Sequence, residues 1–213
     1  MIGGIIWMFL VLGALFGLAY KFYFLRDPAI SIPQEDVIVS PAWGVISRII
    51  EFGVGDEELT IPKGVMGKVI TQSADVAKKG WLINIVMTPM DVHYQYCPMP
   101  GKVLGVNHQS GTFLNAVKGA ESLRAAMENE NANTLIAHDN DPHFRCKVVQ
   151  IAGFVARRIV PFLKENQEVH RGQKLGVIKL GSQVSLIIPK LSLDVQEGDR
   201  MIGGQTIIAR RSA

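Results

Sequence analysis

The chain opens with an uninterrupted apolar run and then changes character. Residues Ile2 to Tyr20 carry no charge over 19 positions. A helix rises about 1.5 Å per residue, so a run of this length approaches the ~30 Å hydrocarbon core of a bilayer. Lys21 and Arg26 follow directly, and aromatics (Trp7, Phe22, Tyr23, Phe24) crowd both ends as interface anchors do. The pattern predicts a transmembrane helix within residues 1–25, with residues 2–20 as the anchor. A cleaved signal peptide fits poorly, because no basic region precedes the run and no A-x-A site follows it. Positive charge behind the helix predicts that the rest of the protein lies on the cytoplasmic face.

Residues 26–36 read as an extended linker, since Asp27-Pro28 and Ile32-Pro33 place residues before proline, where helical backbone is disfavoured. From Val37 onward, short β-branched runs alternate with Gly and Pro. They are Val37–Val39, Val45–Ile50, Val65–Thr71, Trp81–Thr88, Lys102–Val106, Val148–Ile151, Gly176–Leu180, Val184–Ile188 and Thr206–Ala209. Such spacing predicts a mainly β fold with few helices, a flattened barrel or sandwich over residues 37–213. Ala120 to Asn129 lacks Gly and Pro and is rich in Ala, Leu, Glu and Met, which predicts a short helix. Val169-His-Arg-Gly172-Gln-Lys-Leu-Gly176 and Val195-Gln-Glu-Gly198-Asp-Arg-Met-Ile-Gly203 form a weak internal repeat. Its glycine-turned hairpins are of the type found in lipoyl-like barrels, with Pro100-Gly101-Lys102-Val103 as a candidate third copy. No lysine sits at a carrier-type hairpin tip, so the repeat bears on fold and not on a swinging arm.

Composition narrows the function classes. The 213 residues are 48% hydrophobic and 19% charged, enough apolar material for a packed core. The net charge of +3, with no basic run interleaved with aromatics, excludes a nucleic-acid partner. Cys97 and Cys146 are too far apart for a CxxC pair, so two reduced thiols are expected.

Three places carry candidate chemistry. Asp91-Val92-His93 ends an apolar strand with a carboxylate and an imidazole two residues apart, on one face if the backbone is extended. That suits orientation of an imidazole base, and it also suits an ordinary surface pair. Gly181-Ser182 is a Gly-Ser step between two strand-like runs, and alone it reads as a hairpin. Arg157-Arg158, after Gly153 in an apolar run, suits either an anion or an ion pair with Glu130 or Asp91. His138-Asp139-Asn140-Asp141-Pro142-His143 has metal-ligand residue types but the composition of a solvated turn, and no metal site is expected. His108 and His170 stand in turn-like contexts and are expected at the surface.

In order and spacing these segments resemble the phosphatidylserine decarboxylase family, from Phe24 to about Ala209. Phe24-Leu25-Arg26-Asp27-Pro28 is similar to its aromatic-Arg-Asp-Pro entry, and Val39-Ser40-Pro41-Ala42 with Gly44 to its Ser-Pro-Ala-Asp-Gly segment. Asp91-Val92-His93, Pro98 and Gly101-Lys102-Val103 match the next block. Gly111-Thr112-Phe113-Leu114-Asn115-Ala116, Glu128-Asn129-Glu130 and Gln150-Ile151-Ala152-Gly153 with Ala156-Arg157-Arg158-Ile159 match later ones. Gly181-Ser182 falls where the family cleaves itself.

The resemblance implies a self-processing enzyme of phospholipid biosynthesis. The Ser182 hydroxyl would attack the Gly181 carbonyl, and elimination and hydrolysis would leave a pyruvoyl group on a small chain of residues 182–213, beside a large chain of residues 1–181. That covalent cofactor would take up the amine of a serine-headgroup phospholipid and accept the electron pair left by CO₂. His93 and Asp91 would join Ser182 and Gly181 in the catalytic set, and Arg157, Arg158, Asn115 and Glu130 would bind substrate. The partners implied are a membrane phospholipid and the two cleaved chains, with a homo-oligomer left open.

The departures are specific. The family's Asp in Ser-Pro-Ala-Asp-Gly is Trp43, whose only polar group is a donor. The second His of the long bacterial forms is Tyr96, and the Arg of Asn-Glu-Arg is Asn131. Asp91 or Asp36 would have to replace the missing carboxylate. The alternative is an unprocessed, inactive relative that binds lipid headgroups or partners on the same scaffold.

Overall fold

The computed structural model describes residues 2–56, 58–62, 68–109, 130–152, 158–179 and 182–211. One α-helix, α1 (Ile2–Ala19), runs into a five-residue π turn (Tyr20–Phe24). The strands follow as β1 (Val37–Val39), β2 (Gly44–Phe52), β3 (Glu58–Pro62), β4 (Lys68–Gln72), β5 (Gly80–Met87), β6 (Tyr94–Tyr96) and β7 (Gly101–Gln109). Next come β8 (Asn131–His138), β9 (Arg145–Ala152), β10 (Arg158–Pro161), β11 (Glu168–Val169) and β12 (Lys174–Lys179). The last are β13 (Ser182–Pro189), β14 (Arg200–Met201) and β15 (Ile207–Arg210). The helix expected over Ala120 to Asn129 lies outside the described residues.

The mainly β expectation holds. The central sheet has eight strands in the order β11-β7-β8-β9-β13-β5-β2-β14, every neighbouring pair antiparallel. A three-stranded sheet, β10-β12-β6, and the pairs β1-β15 and β3-β4 complete the strand pairing among the described residues. The central strands are covered on both faces. Val148, Ala152, Val184, Leu186, Ile83 and Ile85 belong to the main core cluster. Val149, Ile151, Ile187 and Leu82 face a second cluster beneath the β3-β4 hairpin, with Ile61 and Val69. Burial on both sides explains why these strands read as continuous apolar runs instead of alternating ones. Each fully buried Ile or Leu contributes about 1.5–3 kcal/mol.

The repeat has a structural basis. His170 N bonds the Gln173 side chain (3.1 Å) and Gln173 N returns to His170 O (3.1 Å), with Gly172 at φ 74°. Gln196 N bonds Asp199 Oδ2 (2.9 Å) and Asp199 N returns to Gln196 O (3.2 Å), with Gly198 at φ 93°. The third copy is not at Pro100-Gly101, which leads straight into β7. The same geometry recurs at Gly53–Asp56, where Gly53 N bonds Asp56 Oδ2 (2.9 Å), Asp56 N returns to Gly53 O (3.2 Å) and Gly55 sits at φ 102°. It recurs again at Lys164–Gln167, where Lys164 N bonds Gln167 Oε1 (3.1 Å), Gln167 N returns to Lys164 O (3.2 Å) and Asn166 sits at φ 66°. Asn tolerates the left-handed region better than other side chains, which is why a turn with no glycine can share the geometry.

The transmembrane helix expected over residues 2–20 is not supported: among the described residues no helix is long and apolar enough to cross a membrane. The helix that forms, α1, has 18 residues, which at the helical rise is about 27 Å. It is apolar and unburied, with Trp7 70%, Phe9 64% and Leu10 59% exposed. The π turn then brings the chain back onto the β domain, where Phe24 is buried.

Candidate functional site

The site is built around a turn. After β5, Thr88 to Asp91 close through Asp91 N to Thr88 O (3.0 Å). The Asp91 carboxylate caps that turn, with Oδ2 accepting from Thr88 N and Thr88 Oγ1, both at 2.8 Å. Its other oxygen, Oδ1, accepts from Arg200 Nη2 of β14 at 2.6 Å. Of the two readings of the Asp91–His93 pair, a carboxylate that orients the imidazole and an ordinary surface pair, neither describes this buried turn. The carboxylate is spent on the turn and on Arg200, and the Asp91 main-chain carbonyl meets His93 Nδ1, at 2.8 Å.

A carbonyl oxygen only accepts, so Nδ1 carries the proton and Nε2 presents its lone pair. His93 is fully buried, and Nε2 has no hydrogen-bond partner among the described residues. An unpaired buried acceptor costs about 1–3 kcal/mol, a cost usually tolerated where a group has work to do. Burial is the main cause that pushes the His93 pKa below its ordinary 6.5. The bond to Asp91 and its charge pull upward, and Arg26 pushes downward. The imidazole is therefore neutral near pH 7 and able to accept a proton.

The main chain at His93 lies beside the chain leading to position 181. Its carbonyl accepts from Ile178 N of β12 (3.2 Å), three residues before Gly181, and from Gln95 Nε2 (2.8 Å). Ser182 is the first residue of β13 and pairs with Met87 of β5 and Ala152 of β9. Gln95 Nε2 also approaches Met87 Sδ at 3.8 Å. Three elements thus converge on the start of β13: the turn bearing His93, the end of β12 and the end of β5. Gly181, Asn115 and Arg157 lie outside the described residues.

Two glutamines extend the polar interior. Gln150, on β9 opposite Val184, donates through Nε2 to Gln95 Oε1 (2.8 Å), and both residues are fully buried. Gln150 Oε1 has no hydrogen-bond partner among the described residues. Gly176 makes room for this contact, since a Cβ there would stand 2.8 Å from Gln150 Nε2. Gln150 appeared in the sequence only as part of a matched segment, and Gln95 not at all. The available signal was a glutamine inside an otherwise apolar strand. Such residues are buried only when paired, so each marks an interior polar site.

The other expected site residues divide. Glu130 is engaged structurally: Oε1 accepts from Ile159 N (3.0 Å) and faces His108 Nε2 (2.8 Å), while its carbonyl accepts from Ala152 N (2.9 Å). It fastens the ends of β9 and β10 beside position 182 and pairs with His108, the surface position of the sequence reading, instead of an arginine. Arg158 stands exposed at the start of β10, opposite Lys179 at the end of β12, so two cations mark the site's edge. Asp36 is turned toward His138 Nε2 (3.4 Å) and Arg211 Nη1 (3.4 Å) and supplies no carboxylate to His93. The segment from His138 to His143 forms the expected turn, with Asp141 Oδ1 accepting from His143 N (3.1 Å) and Phe144 N (3.3 Å).

The two departures are neighbours. Tyr96 is buried, and its hydroxyl and Trp43 Nε1, which lie near each other, have no well-formed hydrogen bond among the described residues. Burial, helped by the charge of Asp27, pushes the Tyr96 phenol up to about 12, and the nearby Trp43 N–H opposes this. Both rings lie against Gly203, where a Cβ would approach Tyr96 Cδ2 to 2.7 Å and Trp43 Cδ1 to 3.0 Å. The pair packs as an aromatic wall and offers no base. Cys97 and Cys146 are buried and unpaired, and burial pushes the Cys97 thiol up to about 12, so both are inert.

Comparison with known proteins bears on this geometry directly. The family model for phosphatidylserine decarboxylase matches residues 18–209. A phosphatidylserine decarboxylase proenzyme of Wolbachia from Brugia malayi is 35% identical over 189 residues, covering 88% of this chain and 74% of the relative. A putative archaetidylserine decarboxylase proenzyme of Methanocaldococcus jannaschii is 35% identical over 195 residues, covering 90% of each. Its counterpart in Methanothermobacter thermautotrophicus is 36% identical over 200 residues, covering 91% of this chain and 81% of the relative.

Proposed function

The chain belongs to the phosphatidylserine decarboxylase family, and we propose that it cleaves itself between Gly181 and Ser182 and decarboxylates a serine-headgroup phospholipid. The observation that carries this reading is His93: buried, neutral, with Nε2 unpaired and its main chain bonded to Ile178 just ahead of the scissile position. A serine hydroxyl is a weak nucleophile until a base takes its proton. In the proposed step His93 Nε2 accepts that proton while the oxygen adds to the Gly181 carbonyl. The Ser182 nitrogen then leaves with a proton, converting the peptide to an ester. Elimination frees the Gly181 carboxylate, and hydrolysis of the resulting dehydroalanine releases ammonia and leaves a pyruvoyl group at position 182.

The residues present fit such a group. Two buried polar atoms, His93 Nε2 and Gln150 Oε1, lack partners, and Gln95 links the elements that carry them. When formed, the group supplies an electron sink for the pair left by departing CO₂. His93 then holds or returns a proton within reach of that position, the role that most often falls to an imidazole near neutral pH. Arg158 and Lys179 at the site's edge, with Arg157, offer positive charge to a lipid phosphate. Asn115 remains a proposed substrate contact, and Glu130 acts by fastening the strand ends and not by touching substrate.

The exposed apolar side chains of α1 would hold the domain at a lipid surface, so that the headgroup reaches the site without the lipid leaving its bilayer. Phe22 (69%) and, in the turn before His93, Met90 (62%) are exposed as well. The domain organisation that follows is an anchor segment to residue 25, a linker over 26–36 and a catalytic β domain beyond. The test is CO₂ release from vesicles containing phosphatidylserine, with Ser182→Ala as the comparison. The wild-type chain should release CO₂ and the variant none. Equal release from both would overturn the reading.

A further inference from the structure

The segment that leaves the apolar helix does more than connect it. Phe24, the last residue of the π turn, is 6% exposed, and its ring lies over the His93 imidazole with centroids 3.8 Å apart and planes 30° apart. Arg26 donates to the carbonyls of Met90 and of Tyr23, the latter at 2.9 Å, and its guanidinium lies 4.5 Å over the Tyr23 ring. Tyr23 in turn donates to Met90 Sδ at 3.4 Å. Asp27 pairs with Lys174 of β12. Within four residues, 24–27, the chain covers the imidazole, grips the turn that presents it, and ties itself to the strand that leads to the scissile position.

A buried imidazole with an unpaired Nε2 gains by swinging toward water. Two constraints oppose that movement here: the bond from Nδ1 to the Asp91 carbonyl, and the ring of Phe24 over one face. We propose that Phe24 is a positioning residue for His93, so that the apolar N-terminal segment completes the site as well as tethering it. This rests on the role given to His93 above. The charged groups acting on the imidazole are Asp91, on its own turn and held by Arg200, and Arg26, on the covering segment. A stacked ring excludes water from the face it covers and restricts the imidazole's rotation, whereas an aliphatic side chain of similar bulk does the first only in part and the second hardly at all.

The test uses the full chain in Phe24→Ala, Phe24→Leu and Phe24→Tyr forms. Imidazole NMR titration follows His93, assigned by its loss in His93→Gln. Intact mass follows cleavage at Gly181–Ser182, and sedimentation with phosphatidylserine–phosphatidylcholine vesicles follows attachment. Phe24→Ala should raise the His93 midpoint toward its ordinary value and slow cleavage roughly 10- to 100-fold, the scale of a misplaced reacting group. Phe24→Leu should shift both in the same direction by less, and Phe24→Tyr should restore both. Vesicle binding should match the wild type throughout. An unchanged His93 midpoint in Phe24→Leu and Phe24→Ala would overturn the proposal, as would cleavage that falls only in step with vesicle binding. If Phe24→Ala does not fold, Phe24→Leu decides. If the wild-type chain does not cleave, the functional reading fails, and the titration still decides whether Phe24 positions His93.

Discussion

His93 and His138 are both buried, 0% and 4% exposed, one beside the start of β13 and the other at the far end of β8. Their surroundings differ in kind. His138 stands among carboxylates: Nδ1 is 3.0 Å from Asp139 Oδ1 and Nε2 is 3.4 Å from Asp36 Oδ1, with Asn140 N donating to Nδ1 at 3.2 Å. Asp36 and Asp141 also face Arg211, whose guanidinium covers Phe144 at 4.4 Å. That region is a closed set of mutual contacts, and its histidine clasps the linker to the end of β8. His93 has one main-chain partner, an aromatic lid and a free nitrogen. Both Nε2 atoms are buried without a hydrogen bond among the described residues, so the two histidines differ in what surrounds them. His138 has a carboxylate near each ring nitrogen, whereas His93 has a main-chain carbonyl at Nδ1 and an aromatic ring over its face.

Substitutions sharpen the contrast. The largest effect is expected from His93→Ala, which should slow cleavage at Gly181–Ser182 roughly 100- to 10,000-fold, the range of a lost general base. Intact mass against time measures it, and wild-type kinetics would remove His93 from the mechanism. His138→Ala should do the reverse. It removes a buried ring and should cost about 0.5–3 kcal/mol in denaturant unfolding, with cleavage retained. Loss of cleavage in folded His138→Ala protein would break the comparison.

The pH dependence has a definite sign. The folded chain holds His93 below its ordinary pKa of 6.5, so the unfolded chain binds the proton first. The contribution of His93 to stability is full above about 6.5 and is lost as pH falls toward its folded value. Unfolding measured between pH 7 and pH 5 should show a shallower fall in His93→Gln than in the wild type. The smallest effect is expected at Trp43. Because its indole lies beside Gly203 and its N–H acts on the Tyr96 phenol and not on His93, Trp43→Phe should leave the cleavage rate within about twofold of wild type. A marked slowing would place the indole in the chemistry.

Much of this was legible in the sequence, for identifiable reasons. β1 was read with its exact bounds and β5 and β13 to within two residues, because apolar β-branched runs bounded by Gly and Pro carry a strong strand signal. β8 was missed: Asn131, Asn133 and Thr134 interrupt the apolar run, and the two asparagines are tolerated because their amides bond one another and Thr71. The turn at Lys164–Gln167 was not legible because Asn166 takes the place that glycine holds at Gly55, Gly172 and Gly198. At the site, the motif singles out His93, but neither reading of its pairing with Asp91 describes the turn. Spacing puts Asp91 and His93 near each other, and it does not reveal that the carboxylate caps a turn while the carbonyl holds the ring. Phe24 was read as an interface aromatic at the end of the helix. Its stacking on a residue 69 positions away is a tertiary fact that no local pattern carries.

The central claim is that His93 and the start of β13 form a self-processing site despite Trp43. The most direct test is the intact mass of the purified, denatured protein. Two chains separated between Gly181 and Ser182, with a blocked pyruvoyl terminus on the piece that begins at residue 182, are the predicted result. A single uncut chain of 23.4 kDa with an unmodified Ser182 would contradict it and leave a family member that keeps the fold without the reaction.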